Sequence, residues 1–281
     1  MDLHRPVTHG KYRVNRFYLS DEAFAVPFVG SSDPRDVLGR KQWDHLMVLP
    51  TDVLLRTTDN FGTMIEDMQQ QSSAWLDALT FDETKWPFFH AAYLDVLEEL
   101  DAAPFIAAHG WYRQATSGLR NALEVMTHAC RYAVANDEAG FSAWRGGTLP
   151  EPLKFGNSVD IIGAKPRGRA LDDTLGAPGL FGVRPDGVLR ALYSDVCRYA
   201  HSQPGFTNGD IWQSNGPVFV PRAFTQFWLD FCDTSLACFA MLKLAFPAAK
   251  ADGMWKEIAG NVGAAWHGLA PATVEALKLT E

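Results

Sequence analysis

The 281-residue sequence holds only four cysteines, Cys130, Cys197, Cys232 and Cys238, and no two of them form a Cys-x-x-Cys pair. A zinc box is therefore unsupported, and the four are expected as reduced thiols buried in helices. Uncharged apolar runs are short as well. The most apolar region, Ala223 to Phe246, is interrupted by Asp230, Asp233 and Lys243, whereas a membrane span needs roughly 20 residues with few or no charges. The first residues, MDLHRPVTHGKYR, lack the apolar stretch of a signal peptide. A cytoplasmic protein without a membrane partner is the expectation. Positive charge is also scarce. A net charge of -8 disfavours the broad basic surface used for sequence-independent nucleic-acid binding, although it leaves room for a local basic patch. No phosphate loop, nucleophile motif or metal box stands out, so no cofactor is expected.

What is plentiful is core material: 47% apolar residues, with 18 Phe and 9 Trp. Residues 1 to 49 read as irregular, punctuated by Pro27, the Gly30 to Pro34 turn cluster and Pro50. Phe17, Tyr18, Phe24 and Phe28 mark this segment as an arm laid over the body. From Thr51 onward Leu54, Thr58, Phe61, Ile65, Met68, Ser72, Trp75 and Leu79 alternate spacings of three and four, the stripe of a long amphipathic helix. A short helix is expected from about Trp86 to Leu100, with Pro104 separating it from a second long helix over Ala107 to Asn136. On that helix Leu119, Ala122, Leu123, Met126, Ala129, Cys130 and Ala133 share one face. Arg113, Ser117, Arg120, Glu124, His128 and Arg131 share the other, which reads as a solvated stripe of i,i+4 ion pairs.

Residues 146 to 187 read as a loop-rich excursion with one or two short helices, and Gly168 to Gly182 as its least ordered part. A third clear helix is expected over about Pro185 to His201, and a last one from Pro221, suited to a first helical turn, to Phe246. One or two short helices are expected over 252 to 280. No strand signal is evident beyond Val218 to Val220. Together these patterns predict an all-α, up-and-down helical bundle with long loop excursions, in which residues 50 to 281 form one domain.

The segment Leu192 to Pro204 is the richest in chemistry. On a helical wheel Arg190, Ser194, Cys197 and His201 lie close together, Arg198 sits at their flank, and Val188, Leu189, Leu192, Val196, Tyr199 and Ala200 form the apolar side. A histidine closing a helix before a polar loop is a rigid yet reachable proton-transfer group, and equally a helix C-cap. The loop that follows brings Asn208, Asp210 and Trp212, suited either to a substrate or partner contact or to plain turn geometry. A metal site on Glu124 and His128 is disfavoured, because the paired Glu-x-x-His motifs of carboxylate bundles are missing.

Two of these elements, Arg-x-x-x-Glu at Arg120 to Glu124 and Leu-Tyr-Ser-x-x-x-x-Tyr-x-His-Ser at Leu192 to Ser202, resemble the HEPN superfamily, in particular its abortive-infection-like and uncharacterised helical branches. The resemblance covers about 107 to 246. It implies a helical core that often dimerises and, in many members, metal-independent ribonuclease activity in toxin or antiphage systems. Carried over, His201 is the proton-transfer residue, and Arg198 or Arg120 contacts the phosphate. Glu124, Ser194, Asn208, Asp210 and Trp212 serve as substrate contacts. Ser194 and Asp195 stand where the family motif has its arginine, a departure that weighs against catalysis. Other members lack the active motif and act as binding or scaffolding modules. The alternative expectation is accordingly a non-catalytic helical module whose acidic surface engages a protein partner.

Overall fold

The structure, a computed structural model, describes residues 7–9, 12–14, 34–77, 87–182, 187–200 and 217–247. The chain divides into two units, Met1–Asp52 and Val53–Glu281.

In the first unit β1 (Val7–His9) pairs antiparallel with β2 (Tyr12–Val14) in a two-stranded ribbon that the sequence pattern does not reveal. The expectation of irregular chain up to residue 49 is also corrected. Pro34 opens α1 (Pro34–Trp43), which is broken at Gly39 (φ +65°), and a π-helical turn follows at Asp44–Val48. Proline at a first helical position loses no hydrogen bond, so Pro34 suits a helix start. Leu46, Met47, Val48 and Leu49 are exposed there.

Apart from that ribbon, the described residues are helical or irregular. The helices are α2 (Leu49–Asp77), α3 (Pro87–Ala108), α4 (Tyr112–Ala135), α5 (Glu138–Arg145), α6 (Phe155–Ala164), α7 (Pro166–Leu175), α8 (Val188–Ala200) and α9 (Pro221–Ala245). Val218 to Val220 forms no strand, although Val220 itself is extended. Among the described residues no helix is long and apolar enough to cross a membrane.

Two helix boundaries differ from expectation, for physical reasons. Pro104 does not end a helix but lies inside α3. Its missing N–H frees the carbonyl of Leu100, four residues back, and the Ser72 hydroxyl donates to that carbonyl at 3.3 Å. The long helix expected over Ala107 to Asn136 is present as α4 but starts later, at Tyr112, after a break at Gly110 (φ +84°); Ala107 and Ala108 end α3. There Gly110 N–H donates to Ala107 O and Trp111 N–H to Ile106 O, a Schellman ending that a glycine accepts without strain. Asn136, also left-handed, closes α4, and Asp137 caps α5 by accepting from Gly140 N–H.

Helix α4 is the centre of the second unit: α3, α6, α8 and α9 all pack on it. Its predicted apolar face is buried, and Ala133, half-buried, packs against the core. α9 is buried over most of its length, as a helix apolar on nearly all sides should be. α2 joins through Met68, Ser72 and Trp75, all buried, while Thr58 of the predicted stripe faces solvent. The stretch Gly168 to Gly182, expected to be the least ordered, is organised round Asp172, whose carboxylate accepts from the backbone N–H groups of Leu180 and Phe181. Leu171, Leu180 and Phe181 are buried.

Candidate acidic groove

The face of α4 read as a solvated stripe is for the most part an interface. His128 is buried, and Arg113, Ser117, Arg120, Glu124 and Arg131 are half-buried, because α6 and α8 cover this side. Arg120 Nη2 lies 2.9 Å from Glu124 Oε2 and donates to the Tyr193 hydroxyl at 3.3 Å; that hydroxyl donates in turn to Glu124 Oε2 at 3.4 Å. A closed ring of three groups results, one from α8 and two from successive turns of α4. Phe155 of α6 stacks on Tyr193 with centroids 3.7 Å apart, which fixes the phenol's orientation. Burial pushes the Tyr193 hydroxyl up to about 12, so it remains a neutral donor near neutral pH.

Glu124 also faces His128, whose Nε2 is 3.8 Å from Oε1. The other ring nitrogen of His128 is hydrogen-bonded to Ser158 Oγ at 2.9 Å. The His128 ring, with Arg120 adding to it against desolvation, holds the Glu124 carboxyl below the usual carboxylate range. Glu124 is thus a fixed negative charge.

It lines a groove of about 920 Å³. α3 contributes Asp95, Glu98, Glu99 and Ala102; α4 contributes Asn121, Glu124, Val125 and His128. Trp144 of α5 forms a wall, and the segment Gly147 to Leu153 closes the far side with Leu149, Glu151, Pro152 and Leu153. Five carboxylates therefore line an otherwise largely apolar cleft. One of them, Asp95, is held by Arg145 at 2.5 Å, and that guanidinium lies over the Trp144 ring. Asn121 donates to Glu99 at 3.3 Å. Gly118 leaves the space in which Glu99 lies, since a Cβ there would come within 2.9 Å of Glu99 Oε2.

The sequence-predicted site residues fall into three groups. Arg120 and Glu124 come together, and with Tyr193, which the wheel places in neither face. Arg198 and Ser194 are exposed on α8, and Arg198 pairs with Asp195 at 3.3 Å. His201, Asn208, Asp210 and Trp212 lie outside the described residues, as do the helices expected over 252 to 280. Arg190, grouped with Ser194 on the wheel, is instead buried. It pairs with Asp160 and donates to the carbonyls of Gly156 and Gly182, tying α8 to α6. Three cysteines are buried as expected, but Cys197 is only half-buried. Among the described residues no group of three or more His, Cys, Asp or Glu could hold a metal ion.

The acidic stripe of Asp95, Glu98 and Glu99, at i, i+3 and i+4 on α3, is not among the sequence-predicted site residues although its spacing makes it legible. Trp144, Ser158 and Glu151 carry no local signal. In the ring of Arg120, Glu124 and Tyr193 the arginine is paired with the carboxylate, the carboxylate is ionised and the phenol stays protonated. Comparison of the chain with protein-family models, with curated proteins and with solved structures gives no match.

Proposed function

We propose that this chain is a non-catalytic, HEPN-like helical bundle that binds a protein partner by taking a basic, apolar-anchored segment of it into the acidic groove. The observation that carries this reading is the lining: five carboxylates round apolar walls, of which Asp95 is paired with Arg145 and Glu124 with Arg120. Such a surface attracts lysine and arginine side chains, steers their approach and repels phosphate. Half-buried Trp144 and Leu153 offer apolar area for an aliphatic stem. The net charge of -8 acts in the same direction at long range.

A second reading, RNA binding or cleavage by a homodimer in a prokaryotic defence or toxin-type setting, draws on one observation. Arg120 reaches Tyr193 on α8, the helix that leads to His201. In that reading His201 moves the proton and Arg120 or Arg198 contacts the phosphate. The two readings separate in one set of measurements. Binding of a lysine- and arginine-rich peptide with leucine anchors is expected at micromolar or tighter affinity, weakening steeply between roughly 50 and 500 mM salt. RNA incubated in EDTA is expected to be cleaved at background rate by wild type and His201→Ala alike. Metal-free cleavage by the wild type that is lost in His201→Ala, with no peptide binding, would overturn the binding-module reading in favour of the second.

A further inference from the structure

Core helix α9 carries two carboxyl groups one turn apart, Asp230 and Asp233, in a setting built for uncharged side chains. Asp230 is 4% exposed, and its Oδ1 accepts from Gln226 at 2.9 Å while its Oδ2 is buried without a partner. Oδ1 of Asp233 is likewise buried and unpartnered, and so is the neighbouring Thr234 hydroxyl. Residues three apart on a helix sit within roughly 6 Å, so two carboxylates here repel each other in a poorly screened environment. A protonated carboxyl removes that repulsion and gains a donor.

The groups around the pair offer no relief. From α8, Asp195 faces Asp230 and adds to the repulsion, and the nearby cation Arg198 is engaged by Asp195 itself. From α2 come Gln71, whose amide donates to Cys232, and Asp67, whose charge acts on Cys232. Among the described residues no charged group of α3 or α4 acts on either carboxyl.

We propose that Asp230 and Asp233 form a proton-operated latch: while they hold their protons α8 packs against α9, and when they lose them the C-terminal half of α8 loosens. The latch is independent of the groove and of any partner bound there. Burial first, with the Asp195 charge adding to it against Gln226, pushes Asp230 up to about 7. Burial, then the charge of Asp230, pushes Asp233 up to about 8. Unfolded, both carboxyls titrate near 4. The folded chain therefore keeps protons that the unfolded chain has released, and stability falls as pH rises from about 4 to about 8. This is the reverse of ordinary acid denaturation.

The test uses the full chain and trypsin, following release of the fragment that ends at Arg198 against an unstructured reference peptide that corrects for the protease's own pH dependence. Between pH 6.5 and 9 the corrected rate is expected to rise roughly tenfold in the wild type, alongside a fall in Tm on the order of 5 °C. Asp230→Asn and Asp233→Asn, which keep the side-chain shape without the charge, are each expected to cut that rise at least severalfold. Asp195→Asn, which removes the facing charge that helps Asp230 keep its proton, is expected to move its midpoint to lower pH. A wild-type rate and Tm that do not change across this window would overturn the latch. An undiminished pH response in the two asparagine variants would do so as well.

Discussion

Trp75→Ala is expected to lower the unfolding free energy by about 3–5 kcal/mol, the range for removing a fully buried aromatic side chain. Trp75 has no exposed surface and links three helices. From α2 its indole N–H donates to Ser235 Oγ of α9 at 3.1 Å. Its ring lies 5.3 Å from Tyr93 of α3 and meets Phe239 of α9 edge-on. The Tyr93 hydroxyl donates to the Trp75 backbone carbonyl, a bond that survives truncation of the side chain only if the helices keep their spacing. Alanine leaves a cavity and orphans the Ser235 hydroxyl, so the transfer, cavity and hydrogen-bond losses all have the same sign. Trp75→Phe keeps most of the packing and is expected to cost about half as much. Denaturant midpoints of the two variants and the wild type check both values; an alanine variant within about 1 kcal/mol of wild type would mean that α2 does not pack there.

The second large effect is expected at the α3–α4 turn. Gly110→Ala meets two obstacles together. Its φ of +84° is strained for any residue with a Cβ, at roughly 1–3 kcal/mol. The Cβ would also lie 2.5 Å from both the backbone nitrogen and oxygen of Val218. Neither neighbour is the yielding tip of a side chain. The Val218 backbone must move, and with it the entry to α9, where Val220 N–H donates to the Tyr112 hydroxyl at 3.1 Å. A loss of at least about 3 kcal/mol is expected. Gly62, inside α2, supplies the contrast, since a Cβ at that position would meet nothing within 4 Å. Gly62→Ala is expected to stabilise by about 0.5–1 kcal/mol, because helical alanine loses less backbone freedom on folding than glycine. The pair of opposite signs is read from urea unfolding of both variants.

How far the sequence alone reaches is visible at particular residues. The apolar face of α4 is legible because helical periodicity records burial directly, and α9 because an apolar run follows Pro221, which marks a helix start. Pro104 misleads because the group that answers for its missing hydrogen bond, Ser72, lies on another helix. Gly110 is hidden because the apolar spacing of α3 runs almost in phase into that of α4. His128 and Arg190 look solvent-facing on isolated wheels. Their partners, Ser158 and Asp160, stand thirty residues away on α6, which no local pattern announces. The same holds for the groove. Arg120 and Glu124 are recognisable four residues apart, but that Tyr193 completes the ring, and that Trp144 and Glu151 line one cleft with Asp95 and Glu98, follows only from tertiary packing.

The binding proposal rests on the charge of that cleft, and charge can be inverted without touching the core. Glu98 is exposed and Glu99 half-buried at the rim, so Glu98→Lys combined with Glu99→Lys should leave the fold intact. The direct measurement is the affinity of a lysine- and arginine-rich peptide and of its glutamate-rich counterpart for wild type and for the double variant, at low and high salt. The account predicts that the basic peptide binds wild type and weakens about tenfold or more in the variant, that the acidic peptide gains, and that both differences shrink as salt screens them. Equal affinity of the basic peptide for both proteins at low salt would contradict it.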